Sequence, residues 1–258
     1  MVSTSLTAIA LLGLSVLQGL TAAPSSYAKR GGGQCTPFSG NFGESSEWEG
    51  QDVTEDEYDS AENGLKFNLL PPDSYTRKYD ENEKSYYNSK AGRGPTFVYN
   101  SEVQYGRISA KIKAPAVGGA VTALIFKSTE GDEIDFELLA SPDNAQTNYF
   151  WGKRVKTGEN GEIHKGSVSD TFYKYTIDWS PKAIRWYIDD EMIRETTLEE
   201  IIKKKGKAMY PTNPSQIQIG LWDSSDVAGT AHWAQGPIKW SNQEVSAYIK
   251  DVTVECPY

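Results

Sequence analysis

Sulfur and histidine are scarce in this chain. Its 258 residues hold two cysteines, three methionines and two histidines. Neither His164 nor His232 has a metal-ligand partner pattern around it, which excludes a zinc site of the usual spacing. Basic residues are in deficit, 26 Lys and Arg against 35 Asp and Glu, for a net charge of −9. That sign excludes nucleic acid as an expected partner, because phosphate binding requires a basic surface. No Asn-x-Ser/Thr acceptor, nucleophilic-serine motif or phosphate-binding glycine loop occurs, so neither an N-glycan nor a nucleotide is expected. Beyond residue 20 there is no long apolar run, and no membrane span is expected.

What is present begins with a leader. Leu6 to Leu20 is almost wholly apolar, too short for a span and of the right length for a signal-peptide core, with the small residues Thr21, Ala22 and Ala23 behind it. No Lys or Arg precedes Leu6, so the terminal amine is left to supply the usual positive charge. We expect a signal peptide over residues 1–22, then a propeptide or linker over 23–34 with a processing site at Lys29-Arg30. A single domain over 35–258 follows. The last residues, VTVECPY, lack the apolar tail of a lipid-anchor signal, so a secreted, extracellular or cell-wall protein is expected. In that oxidising setting Cys35 and Cys256, at opposite ends of the domain, are predicted to pair. The entropic stabilisation for so long a loop is roughly 4–5 kcal/mol.

Residues 31–60 are polar, with Phe38, Phe42 and Trp48 scattered through them. Short strand-like segments follow. Arg107 to Lys113 alternates with period two, and the apolar run Ala120 to Phe126 suits a strand buried on both faces. Glu133 to Leu139 alternates, and Thr147 to Trp151 is aromatic. Phe172 to Trp179, Ile184 to Ile188 and Met192 to Thr196 form a meander turning at Asp189-Asp190, and Ile217 to Trp222 and Val245 to Val254 complete the series. One surface helix stands out at Leu198 to Lys205, with Thr197 and Glu200 as a capping box and Gly206 as its stop. Many short strands with one helix predict an all-β sandwich.

The stretch GDEIDFEL, residues 131–138, concentrates acid. On a strand Glu133, Asp135 and Glu137 share one face, and Ile134, Phe136 and Leu138 share the other. A solvated edge strand is one reading, although like charges on one face repel. A catalytic set is the other. Neighbouring carboxylates roughly 6–7 Å apart push one another's pKa values up and apart, which leaves one ionised and one protonated near neutral pH, as glycoside cleavage requires. Two glutamates leaning together would bring their carboxyls to roughly 5–6 Å, the separation that favours retention. A straight strand does not wrap a cation, so no metal is expected.

Asp132 with Glu-Ile-Asp-Phe-Glu resembles the active-site signature of glycoside hydrolase family 16. Gln146-Thr147-Asn148-Tyr149-Phe150-Trp151, Thr176 to Pro181 with Trp186 to Asp189, and Ile217 to Trp222 with Gly229-Thr230, Trp233-Ala234, Gly236 and Trp240 are similar to its Crh-type branch. These are fungal cell-wall enzymes that join chitin to β-glucan. The similarity covers roughly residues 95–255. The branch's anchor tail, Ser/Thr-rich stalk and chitin-binding module are absent from it, and Asp223-Ser224-Ser225 stands where Pro-Gly is more usual.

The resemblance implies a concanavalin-like jelly roll with a concave substrate groove, and a retaining double displacement. Glu133 would be the nucleophile, Glu137 the acid/base and Asp135 the assisting residue between them. Tyr149, Trp151, Trp222, Trp233 and Trp240 would wall the subsites, and Gln146 and Asn148 would meet sugar hydroxyls. No cofactor is expected. The expected partners are polysaccharides, with chitin as donor and β-glucan or chitin as acceptor, acted on by a monomer. Two alternatives stay open: an endo-β-glucanase of the same fold, and a lectin-like module that binds glycans without cutting them.

Overall fold

A computed structural model describes residues 35–140, 143–153, 159–241 and 244–258. The expected leader and linker, residues 1–34, lie outside the described residues. Seventeen strands occur among the described residues. In the first part of the chain they are β1 (Phe38–Gly40), β2 (Trp48–Gly50), β3 (Tyr58–Ala61), β4 (Gly64–Asn68), β5 (Arg77–Asp80), β6 (Ser85–Asn88) and β7 (Thr96–Tyr99). The middle strands are β8 (Gly106–Lys113), β9 (Ala120–Lys127), β10 (Glu133–Ala140), β11 (Asp143–Phe150) and β12 (Glu162–Lys165). The last are β13 (Tyr173–Trp179), β14 (Ala183–Ile188), β15 (Glu191–Thr197), β16 (Gln216–Asp223) and β17 (Ser246–Glu255).

They form the predicted sandwich. One sheet runs β15-β14-β13-β8-β17-β4-β3, with β1 added beside β17. The other runs β12-β11-β10-β9-β16-β7-β2. β5 and β6 make a separate hairpin. The meander is as expected: Ile188 pairs with Glu191 across a two-residue turn. Asp189 and Asp190 hold positive φ there (48° and 67°), the left-handed pair that matches strand twist. The helix α1 (Leu198–Lys205) begins with the predicted box, Glu200 N–H donating to Thr197 Oγ1 at 3.2 Å, and ends at Gly206 with φ 74°.

The polar N-terminal stretch contributes more than its composition suggests. Phe42 and Trp48 are buried, and their rings meet edge to face at 5.6 Å. Cys35 and Cys256 are bonded, with Cα atoms 5.6 Å apart, beside the β1–β17 pairing of Phe38 with Val254. The expectation of one helix is corrected by α2 (Ala228–Trp233), which is buried except at His232. Its six residues are too few to display a helical period, and small Ala228, Gly229 and Ala231 let it pack closely. No helix among the described residues is long and apolar enough to cross a membrane.

Between the sheets, Ile134, Phe136 and Leu138 of β10 enter the main core with Ile108, Ile177, Trp179 and Trp186 from the opposite sheet. Phe136 meets the Tyr175 ring at 5.3 Å, and the Trp186 indole donates to the Asp135 carbonyl at 3.0 Å. β10 is therefore held from inside through both its apolar side chains and its main chain.

Candidate active site

The alternation of β10 turns Glu133, Asp135 and Glu137 to the outer face of the seven-stranded sheet. The neighbouring strands fix what surrounds them. β9 places Lys127 opposite Glu133, Ile125 opposite Asp135 and Ala123 opposite Glu137. β11 places Phe150, Asn148 and Gln146 opposite the same three acids. One strand further out, β16 continues the rows with Gln216, Gln218 and Gly220, and β12 adds exposed Ile163 beside Gln146.

The run Ala120 to Phe126 thus has one buried face and one groove face, rather than two buried ones. Leu124 and Phe126 point into the core, while Ala123, Ile125 and Lys127 stay partly accessible.

The three acids differ in their electrostatics. Lys127 Nζ lies 2.5 Å from Glu133 Oε2, an ion pair in which both side chains are mostly buried. Asp135 is 3% exposed, and burial holds its carboxyl well above the usual range, reinforced by the charges of Glu133 and Glu137 and a hydrogen bond with Glu133. Glu137 is pushed up to about 8, first by burial and then by the Glu133 charge, with Lys127 pulling the other way. Its side chain still reaches solvent along the groove. The strand therefore carries one carboxylate matched to a cation beside an acid that keeps its proton at neutral pH.

Asp132 has a separate task. It is buried and accepts four hydrogen bonds: from Gly152 N–H at 2.6 Å, Thr212 N–H at 2.7 Å, Asn213 N–H at 2.8 Å and the Asn213 side-chain amide at 2.9 Å. It ties two distant loops to the residue before Glu133. Gly131 makes this approach possible, because it sits at φ +91° and a Cβ there would lie 2.5 Å from the Gly152 carbonyl oxygen.

The expected subsite residues divide. Gln146 and Asn148 join the groove floor beside Glu137 and Asp135. Trp233 donates from its indole to Gln146 Oε1 at 2.9 Å and stacks on Trp222 at 6.0 Å. With Val121, Leu139 and Ala234 these two tryptophans form a small apolar cluster on the outer face, next to Glu137, and Trp222 remains partly exposed.

Tyr149 and Trp151 do not wall the groove. Tyr149 pairs with Ile134, is 5% exposed and belongs to the core; Trp151 packs against the core and lies 6.4 Å from the Tyr149 ring. Trp240 also packs against the core, and Gly92 lies under its ring.

Asp223-Ser224-Ser225 anchors the wall. Asp223 accepts from Gly92 N–H at 2.7 Å and Ser225 N–H at 2.9 Å, Ser224 Oγ donates to the Gly119 carbonyl, and Ser225 Oγ accepts from Ile238 N–H.

Lys127, Phe150 and Ile163 were not singled out from the sequence. A lone lysine closing an otherwise apolar strand is the signal that could have marked Lys127.

Comparison with known proteins agrees with this arrangement. Residues 63–254 match the family model of glycosyl hydrolases family 16. Crh-like protein 2 of Aspergillus fumigatus is 36% identical over 176 residues, 63% of this chain and 40% of that protein. Congo red hypersensitive protein 2 of Saccharomyces cerevisiae is 29% identical over 190 residues, covering 69% of this chain and 41% of the yeast protein. The chain thus spans about two fifths of the length of these relatives. In three dimensions it is similar to a Crh5 transglycosylase solved in complex with NAG, with a TM-score of 0.71, 24% identity, and coverage of 88% of this chain and 86% of that one. It is also similar to a Bacillus licheniformis β-glucanase, with a TM-score of 0.66, 18% identity, and coverage of 88% and 100%. At these identities the two structures speak for the shared fold.

Proposed function

The chain belongs to glycosyl hydrolase family 16 as a Crh-type member, and from that membership we propose that it is a retaining transglycosylase of the cell wall. It cleaves β-1,4-linked chitin and passes the cut chain to a β-glucan or chitin acceptor. The observation that carries this reading is the split on β10: Glu133 paired with a cation, Glu137 holding its proton up to about 8.

Glu133 attacks the anomeric carbon while Glu137 protonates the leaving oxygen. Asp135, its carboxyl held well above the usual range by burial and hydrogen-bonded to Glu133, keeps the nucleophile's carboxyl oriented. Glu137 then takes the proton of the incoming hydroxyl as the glycosyl ester opens. Partly exposed Trp222, backed by Trp233, offers an apolar face for a sugar ring beside Glu137.

The charge state gives a pH profile. On an unactivated polysaccharide, kcat/KM is expected to fall as pH rises through about 8, where free Glu137 loses its proton. Stability follows the same sign. The unfolded carboxyl ionises near 4.5 and the folded one near 8, so the folded state binds the extra proton between them and this contribution to stability declines as pH rises through that window. Thermal midpoints measured across the window check the direction, and a Glu137→Gln variant should remove this component.

The deciding assay incubates the protein with chitin and a fluorescent β-glucan oligosaccharide. Label entering the polymer is the expected result. Reducing ends appearing without label in the polymer would mean that water is the acceptor and the chain is a hydrolase. Binding without any cleavage would leave the lectin-like alternative.

A further inference from the structure

We propose that the β5–β6 hairpin is a second glycan-binding site, which holds a chitin chain beyond the end of the groove on Tyr79 and Tyr86; this rests on the reading that the groove takes chitin. Both rings are exposed, 45% and 50%. They are Cα partners across the hairpin, with centroids 5.0 Å apart and planes at 66°. The two rings therefore form a corner, in which one offers a face beside the edge of the other. Arg77 lies on the same face of the hairpin, two residues before Tyr79, and its guanidinium sits over the Tyr86 ring at 4.9 Å.

An isolated pair of strands is marginal in water, and this pair is fastened to the groove wall. β6 packs against α2, the helix that carries Trp233. Asn88 N–H donates to the Ser225 carbonyl at 2.7 Å, and the Asn88 side-chain amide donates to the Ile238 carbonyl at 2.9 Å. At the base, Ser89 N–H donates to the Thr76 carbonyl and Thr76 N–H to Ser89 Oγ, both at 2.9 Å. The groove leads toward this hairpin. The row from Glu137 through Ala123 and Gly220 continues to Thr96 on β7, and residues 89–95 join Thr96 to the end of β6. Within that segment Gly92 N–H is held by Asp223, the neighbour of Trp222.

Charge selects the occupant. Arg77, Lys78 and Lys84 balance Asp80, Glu81 and Glu83, so residues 77–88 are neutral within a chain of net charge −9. A neutral polymer meets no repulsion there, whereas a second copy of the chain brings its own negative charge. Chitin has flat apolar ring faces for the tyrosines, and a rim of hydroxyls and acetamides for Arg77 and the phenol groups. In the proposed reaction it serves as donor and as one of the acceptors, so it is the chain that extends out of the groove. A polymer held at both places leaves only when both contacts open, which raises its affinity over that of a short oligosaccharide.

The test uses the full chain carrying Glu133→Gln, so that binding is read without turnover. Its ligands are glycol chitin, a chitin trisaccharide and soluble β-1,3-glucan. The trisaccharide is short enough for the groove floor, which spans the five strands from β16 to β12, roughly 19 Å. Tyr79→Ile with Tyr86→Ile keeps strand-forming, apolar cross-strand residues and removes the flat rings. It is expected to weaken glycol chitin about tenfold and to leave the trisaccharide unchanged. Tyr79→Phe with Tyr86→Phe should stay near the parent. Glycol chitin binding untouched by the Ile pair overturns this inference alone. So does an equal loss for polymer and trisaccharide with a lowered thermal midpoint, because the hairpin would then be a strut for the wall. Loss confined to β-1,3-glucan would replace chitin as the occupant, and self-association abolished by the Ile pair with glycan binding intact would assign the rings to a second copy; either overturns the proposal. A parent that binds none of the three glycans overturns the proposed function and this inference together.

Discussion

Glu133→Gln is expected to lower turnover by about four orders of magnitude or more, and Glu137→Gln nearly as much on an unactivated polysaccharide. Each exchange keeps the shape of the side chain and removes its chemistry. In the proposed roles the first variant cannot form the ester. The second can neither give a proton to the leaving oxygen nor take one from the acceptor. Neither change should unfold the protein, because Ile134, Phe136 and Leu138 hold β10 from the other face. Substrate binding should therefore remain mostly intact, and the loss should fall on kcat.

The two roles separate with small nucleophiles. Azide added to Glu137→Ala should attack the covalent intermediate and give a β-glycosyl azide. Added to Glu133→Ala, it should attack the substrate directly from the opposite face and give the α product. An aryl β-glycoside donor, whose leaving group departs without needing a proton, should spare Glu137→Gln its first step but not help Glu133→Gln. If both glutamine variants stayed active, the assignment of roles would fail.

The second large effect concerns the Cys35–Cys256 bond, which joins residues 221 positions apart. Replacing both cysteines with serine is expected to reduce stability by roughly 4–5 kcal/mol if chain entropy dominates, and by about 2–3 kcal/mol if the unfolded chain is already compact. For a domain of this size that lowers the thermal midpoint by about 10 °C. β1 should loosen first, since its three residues pair with β17 alone and the bond lies immediately beside that pairing. Urea denaturation measures the total, and hydrogen exchange at Phe38–Gly40 measures the local part. A loss under about 1 kcal/mol would show that the sheet already holds the two ends together.

The acidic strand could be read in advance because its period is local. Each alternate residue from Glu133 to Leu138 follows from strand geometry alone. What lies beside it depends on pairing, and pairing is not local. β10 and β11 couple odd-numbered acids to even-numbered partners, so Gln146 and Asn148 reach the groove and Tyr149 falls inward with Ile134. From sequence alone both sets are expected in the groove, which one strand cannot supply. The parity is fixed by a register in which Ala140 pairs with Asp143, and a one-residue slip would reverse it.

Lys127 was obscured for the same reason. Nothing near it in sequence marks it as the partner of Glu133. The helix α2 escaped because six residues leave no period to read, and Trp48 escaped because a polar stretch surrounds a residue that is nonetheless buried. The helix α1 was legible because its cap and stop are both written within ten residues.

Asp132 and Trp186 together have a consequence for how the sugar is handled. One collects main-chain groups from two loops beneath the start of β10, and the other grips the Asp135 carbonyl from the opposite sheet. A scaffold clamped at both points has little room to mould itself around a ligand. If Glu133 and Glu137 act as proposed, the conformational change on the way to the transition state falls to the pyranose ring, which leaves its relaxed chair while the carboxylates stay where they are.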